Sequence, residues 1–117
     1  MFKGIRIINI YVNSNEQEFQ TREQLLKELS SLIIEANTKR FHLMVMGDFN
    51  ADAKKLDNDV KLSKKHKYKI INILRDFGLF DTQKLTNEEI TFTWKKNNKT
   101  VRRIDYIWIN EYLLNNL

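Results

Sequence analysis

The sequence has no cysteine, no proline and only three glycines in 117 residues. Without cysteine there is no disulfide framework and no thiolate metal site, which fits an intracellular protein and is compatible with the nucleus. The glycines do not cluster, so nucleotide binding by a Walker or Rossmann loop has no support. No apolar run approaches the ~20 residues of a membrane span. Met1–Arg6 offers no small-residue cleavage site and reads as a strand, so no signal peptide is expected. Histidine is scarce too. His42 falls in a strand and His66 in a lysine-rich stretch, without metal-ligand spacing, and neither is a candidate for catalysis.

What is present fits one folded domain. Hydrophobic residues make up 42% of the chain and aromatics 11%, too many for a disordered tail. The net charge of +5 is uneven. Residues 1–52 carry six basic and seven acidic side chains; residues 53–117 carry fourteen basic and eight acidic ones. The densest stretch, Lys54 to Lys69, has seven lysines against Asp57 and Asp59. It reads either as a phosphate footprint or as a solvated surface loop.

Gly4 to Val12 is a nearly continuous apolar, β-branched run, which predicts a strand covered on both faces. Asn13-Ser14-Asn15 marks a turn, and a helix is expected from about Glu16 to Ala36, with Phe19, Leu25, Leu26, Leu29, Leu32, Ile33 and Ala36 on its apolar face. Phe41 to Met46 predicts a second buried strand, closing a βαβ-like crossover. Residues 51–66 read as a loop. Ile70, Ile73, Leu74 and Phe77 predict a helix over 67–77, stopped by Gly78, after which Leu79-Phe80-Asp81-Thr82 turns away. Thr91 to Trp94 and Val101 to Ile109 read as two strands of one hairpin, with Lys95 to Thr100 as its loop. Glu111 to Leu117 is a short amphipathic tail. The order β-α-β-loop-α-β-β indicates an α/β or α+β layer fold.

Three spots could carry chemistry. Gly47-Asp48-Phe49-Asn50 places a carboxylate and a carboxamide at the carboxyl end of a strand, where ligands bind in α/β sheets. Asp48 could ligate Mg²⁺ or take a proton from water, and Asn50 could bind a phosphate oxygen. The same four residues also make a good turn. Asp105 interrupts the apolar run Ile104 to Ile109, where it either pairs with Arg102 or Arg103 or serves a site. Tyr11 is either a core aromatic with a wet tip or a hydroxyl offered to a phosphate.

Taken together and in order, these residues resemble the endonuclease/exonuclease/phosphatase superfamily. The resemblance spans nearly the whole chain: Asn9-Ile10-Tyr11-Val12, Thr21-Arg22, Gly47-Asp48-Phe49-Asn50-Ala51, Phe77-Gly78-Leu79-Phe80-Asp81-Thr82, Thr91-Phe92-Thr93-Trp94 and Arg103-Ile104-Asp105-Tyr106-Ile107. The wording is nearest to endonuclease domains of LINE-type retroelements. The resemblance implies a sandwich of two β-sheets flanked by helices, incomplete here, with residues 1–117 as a single partial domain. It implies hydrolysis of phosphate esters with Mg²⁺ or Mn²⁺, with nucleic acid as the expected partner. It assigns Asp48 to align or activate water, Asn50 to hold the scissile phosphate, Tyr11 and Arg103 to bind substrate, Asp105 to orient a histidine, and Asp48 and Asn50 as candidate metal ligands.

The departures from the family pattern are equally specific. The family's Asn and Glu metal ligands precede the tyrosine strand, and its Ser-Asp-His motif follows the Asp105 strand; both are missing from these 117 residues. The expectation is a weakly active or inactive segment of a DNA phosphodiesterase. A basic nucleic-acid- or protein-binding remnant and a relative acting on small phosphoesters are the alternatives. Missing strands would also leave sheet edges open to self-association.

Overall fold

The computed structural model describes residues 3–12, 19–51, 57, 66–82, 94–96, 99–102 and 105–116. The elements are β1 (Ile5–Tyr11), α1 (Phe19–Thr38), β2 (His42–Asp48), α2 (His66–Asp76), β3 (Phe80–Asp81), β4 (Trp94–Lys96), β5 (Lys99–Arg102), β6 (Asp105–Ile109) and α3 (Glu111–Asn115). A mixed four-stranded sheet runs in the order β1-β2-β6-β3, and β4 and β5 form a separate two-stranded sheet. The architecture is α+β, as the element order indicates.

The β1-α1-β2 unit is a crossover between neighbouring parallel strands, paired from Ile5↔His42 to Tyr11↔Asp48. α1 buries Leu26, Leu29, Ile33 and Ala36, spaced by three or four residues, onto one face of the sheet. Leu32 belongs to the predicted stripe yet is exposed, because it lies just beyond the edge of the contact. α2 contributes Tyr68, Ile70, Ile71 and Leu74, so its buried face is rotated from the predicted one. Ile73 and Phe77 pack at the rim. From the sheet come Ile8, Ile10, Val12, Leu43, Val45, Tyr106 and Trp108, alternate residues of β1, β2 and β6.

Both long helices end in the same hydrogen-bonded motif. After α2, Gly78 N–H donates to Arg75 O and Leu79 N–H to Leu74 O, with Gly78 in the left-handed region at φ +77°. After α1, Arg40 N–H donates to Asn37 O and Phe41 N–H to Ala36 O, with Arg40 at φ +64°. These are Schellman closures. The first is legible in the sequence because glycine suits that conformation. The second is hidden, because an arginine occupies the left-handed position, and α1 runs two residues past the predicted end.

Several strand predictions need correction. Among the described residues β1 is an edge strand covered on one face: Ile5 and Ile7 are 53% and 60% exposed. β2 likewise buries Leu43 and Val45, whereas Met44 and Met46 are only half-buried, and it extends to Asp48. Phe80-Asp81 does not turn away; it pairs antiparallel with β6 (Phe80↔Ile109, Asp81↔Trp108). The run Val101 to Ile109 is split. Its first part pairs in the hairpin, Trp94↔Arg102, which continues through Lys95↔Thr100 and Lys96↔Lys99, residues expected in the loop. Its second part, β6, enters the main sheet between β2 and β3. Hydrophobic runs mark strands but not partners, and the partner follows from which face must be covered. Thr91–Thr93 lie outside the described residues.

α3 begins with Asn110 as N-cap, its Oδ1 accepting from Leu113 N–H at 3.2 Å. It seats Tyr112 flat on His42, centroids 3.8 Å apart, while Asn110 Nδ2 donates to His42 Nδ1 at 3.3 Å. His42 is therefore structural, at the end of β2 away from Asp48. His66 opens α2. At the rim of the sheet, Arg6 lies over the Phe41 ring and reaches Glu35, which Lys39 also holds at 3.0 Å. The hydrogen bond from Lys39, with that from Arg6, keeps the Glu35 carboxyl below the usual glutamate range.

Candidate functional site

The Gly-Asp-Phe-Asn segment is built into the core from both sides. Gly47 lies at φ +138°, and a Cβ there would sit 1.9 Å from the Ile10 carbonyl oxygen and 3.0 Å from Asn9 Oδ1. Only glycine lets β2 run this close to β1. Phe49 and Ala51, the alternate residues, are fully buried. The Phe49 ring packs 5.0 Å from the Tyr106 ring, and Tyr106 Oη donates to Ala51 O at 2.9 Å. Residues around the polar pair thus anchor it, which explains why the motif carries a large apolar side chain between its two polar ones.

Asp48 and Asn50 then lock each other. Asn50 N–H donates to Asp48 Oδ1 at 2.9 Å, the short-range turn that aspartate favours. Asn50 adopts φ +49°, which asparagine tolerates. Its Nδ2 donates to the Val12 carbonyl, and Val12 N–H donates to Asp48 O at 2.9 Å. The carboxyl ends of β1 and β2 are stitched together through this pair. The turn, one of the two alternatives the sequence leaves, is present, and it holds the Asp48 carboxylate in place. Asn50 itself is 7% exposed and turned toward β1.

Across the sheet, Tyr11, Asp48 and Asp105 form one row. Tyr11 pairs with Asp48 in the parallel ladder and Asp48 with Asp105 in the antiparallel one. Tyr11 is 67% exposed, so its hydroxyl end reaches solvent instead of the core. Asp105 is exposed as well. The sequence placed it inside a buried strand; it opens β6, and the apolar residues that made the strand look buried follow it. Its neighbour Tyr106 alternates to the opposite face and enters the core. Arg103 lies outside the described residues.

The row's two carboxylates can attract a cation. Two carboxylates in register across an antiparallel pair repel each other unless a cation or proton offsets them. Carboxylate oxygens are the donors Mg²⁺ prefers. Among the described residues no three His, Asp or Glu side chains converge, so the row provides two carboxylates and not a full ligand cage. A phenolic hydroxyl one strand away supplies a hydrogen-bond donor beside them. The positioning residues Tyr106 and Val12 were not singled out by sequence reasoning. Alternation from Asp105 would have put Tyr106 on the core side, but nothing local marks the Val12 carbonyl as an acceptor.

The strand end thus carries Asp48 and Asn50 beside a glycine the packing requires, with Tyr11 and Asp105 in register on either side. Residues 5–116 match the endonuclease-reverse transcriptase family, Exo_endo_phos_2, and the chain belongs to that family. Two solved structures from Neisseria share its fold. One is a 3′ phosphatase, NExo, bound to a product DNA hairpin, with 26% identity and a TM-score of 0.69. The other is the 3′-5′ exonuclease NExo of Neisseria meningitidis, with 25% identity and a TM-score of 0.71. Each superposes on 94% of this chain, and this chain spans 50% of each of theirs. No curated protein sequence matches at a significant level. The nuclease-type fold expected from the ordered motifs is therefore present. No helix among the described residues is long and apolar enough to cross a membrane.

Proposed function

We propose that this chain carries the Asp-Asn half of a divalent-metal-dependent phosphodiester hydrolase that acts on DNA. The observation that carries the proposal is the register Tyr11–Asp48–Asp105 at one end of the central strands. The DNA hairpin bound to the Neisseria phosphatase supports nucleic acid as the substrate class.

The residues fit Mg²⁺ in kind: Asp48 and Asp105 would hold it, and when bound it supplies charge neutralisation at the phosphate and a more acidic water. The chain's own groups do the rest. The Asp48 carboxylate, held at Oδ1 by the Asn50 N–H, aligns the attacking water. Tyr11 donates to a non-bridging phosphate oxygen from the exposed end of β1. Asn50 acts as a positioning residue, since its amide holds the Val12 carbonyl and so fixes the spacing between Tyr11 and Asp48.

The test uses supercoiled plasmid and a fluorescent DNA hairpin, with Mg²⁺ or EDTA, for the wild-type chain and the Asp48→Ala, Asp105→Ala and Tyr11→Phe variants. The expected result is Mg²⁺-dependent hairpin binding with slow nicking, both lost in Asp48→Ala and reduced in the other two. Binding and nicking that are indifferent to EDTA and to Asp48→Ala would overturn the proposal, and so would the absence of hairpin binding at low salt.

A further inference from the structure

A second carboxamide stands beside the Tyr11–Asp48–Asp105 row. Asn9 lies on β1 two residues before Tyr11, so alternation puts both side chains on one face, opposite the core that takes Ile8 and Ile10. Its strand partner is Met46, and Met46 pairs in turn with Ile107. Asn9 is thus the polar member of a row whose other members are apolar, next to the row that carries the carboxylates. Two residues along a strand and one strand across separate it from Asp48 by roughly 8 Å at Cα, a gap that two side chains and a phosphate group can fill. Its amide is seated against Gly47: Oδ1 lies 3.0 Å from the point that a Cβ on residue 47 would occupy. Asn9 is exposed, and among the described residues neither its side chain nor that of Tyr11 makes a hydrogen bond. The Asn50 amide differs on both counts. It is 93% buried by residue, at 7% exposed, and its Nδ2 already donates to the Val12 carbonyl.

We propose that Asn9 is a substrate-contacting residue, its Nδ2 donating to a non-bridging oxygen of the phosphodiester that Tyr11 also holds. This is the part that the family resemblance assigns to Asn50, and the inference rests on the hydrolase reading of the row. The chemistry favours a neutral donor here. A phosphate entering the row meets two carboxylates, and a carboxamide adds an N–H without adding negative charge. Asn50 cannot supply it without abandoning the Val12 carbonyl, a buried acceptor that is costly to leave unmade. Tyr11 and Asn9 offer donors of different reach from one face of one strand: the phenol extends away from the sheet, and the shorter amide stays close to it. Two donors at separate points fix the orientation of a phosphate that one would leave free to turn. Gly47 gains a second role. Besides admitting the β1 backbone, its lack of a side chain leaves the space in which the Asn9 amide rests.

The test uses the full chain, a fluorescent DNA hairpin and Mg²⁺. Asn9→Ala should weaken hairpin binding about tenfold, the loss of one hydrogen bond to a charged oxygen. Its urea midpoint should stay at the wild-type value, because the side chain is exposed and holds nothing within the protein. Asn9→Asp, which offers acceptors only and adds a charge, should weaken binding further. Asn37→Ala, at the exposed end of α1, should change neither quantity. In the isotope-labelled wild type, the Asn9 side-chain amide signal should move on addition of the hairpin while that of Asn50 stays in place. Asp48→Ala separates the two ways to fail. Binding that Asp48→Ala weakens and Asn9→Ala does not would overturn the role of Asn9 and leave the hydrolase reading standing. A hairpin that does not bind the wild type overturns both. An Asn50 amide signal that moves while the Asn9 signal does not also overturns the proposal and returns the phosphate contact to Asn50. If Asn9→Ala loses stability together with binding, the wild-type spectrum decides, and an unmoved Asn9 signal is again the refuting result.

Discussion

Replacing Asn50 separates the two things its side chain does in this structure. The amide Nδ2 satisfies the buried Val12 carbonyl, and the residue holds φ +49°. Asn50→Ala removes the donor, leaving a buried acceptor unmade at about 1–3 kcal/mol, and puts an ordinary Cβ residue in the left-handed region at roughly 1 kcal/mol more. Asn50→Gly loses the same hydrogen bond but adopts that φ freely. The expected losses are about 3 kcal/mol for alanine and about 2 for glycine, which for a domain of this size means melting points lower by ~12 °C and ~8 °C. Asn50→Asp keeps the shape but at neutral pH sets a carboxylate oxygen against the Val12 carbonyl. Its folded-state pKa must then rise above the unfolded one, so its penalty is full at high pH and fades as the pH falls through the raised value and a donor is restored. Thermal and urea unfolding followed by circular dichroism, at neutral pH and near pH 4, reads all three. An alanine variant within about 0.5 kcal/mol of wild type, a glycine variant less stable than the alanine one, or an aspartate variant with no recovery in acid would refute the reasoning.

Further outcomes follow from single residues. Gly47→Ala should destabilise by about 4 kcal/mol or leave the chain insoluble, because its Cβ meets the Ile10 backbone; a melting curve near wild type would mean β1 and β2 are not this close. Arg40→Gly should stabilise by ~0.5–1 kcal/mol, since the Schellman position at φ +64° suits glycine, and chemical denaturation would detect it as a higher midpoint at unchanged slope. The Glu35 carboxyl should titrate below an ordinary glutamate by carbon-detected NMR, Lys39 being the larger cause and Arg6 the smaller. Because the folded pKa is lowered, its small contribution is present above the unfolded value and lost only as the pH falls through the folded one. Lys39→Met should move that titration back toward the ordinary range.

How much was legible depends on the distance over which each feature is set. The α1 and α2 helices, the crossover and the stop at Gly78 rest on periodicities and residue types within a few positions, and the sequence anticipates them, although α1 runs two residues further and α2 buries a rotated face. The ordered motifs point to the family correctly, because they record a spacing of anchors and not one local signal. Misplaced features were those set by distant partners. Phe80-Asp81 is too short to read as a strand until β6 lies beside it. Val101 to Ile109 is one hydrophobic run that two sheets divide. Asp105 was assigned to a buried environment from its neighbours, yet its position at the first residue of β6 leaves it exposed.

By itself the sequence pointed to the candidate chemical groups: an Asp-Asn pair at a strand end, a tyrosine hydroxyl and a second aspartate. Local sterics and hydrogen-bonding capacity are properties of the residue type, so they can be read without a fold. Only the tertiary structure decided that Tyr11, Asp48 and Asp105 stand in one row, that the Asn50 amide is engaged by Val12, and that the β1 isoleucines called buried are open on one side. Register and burial arise from pairing segments as far apart in the chain as Met44 and Ile109, where the energy of covering a face, and not any neighbour in the chain, makes the choice.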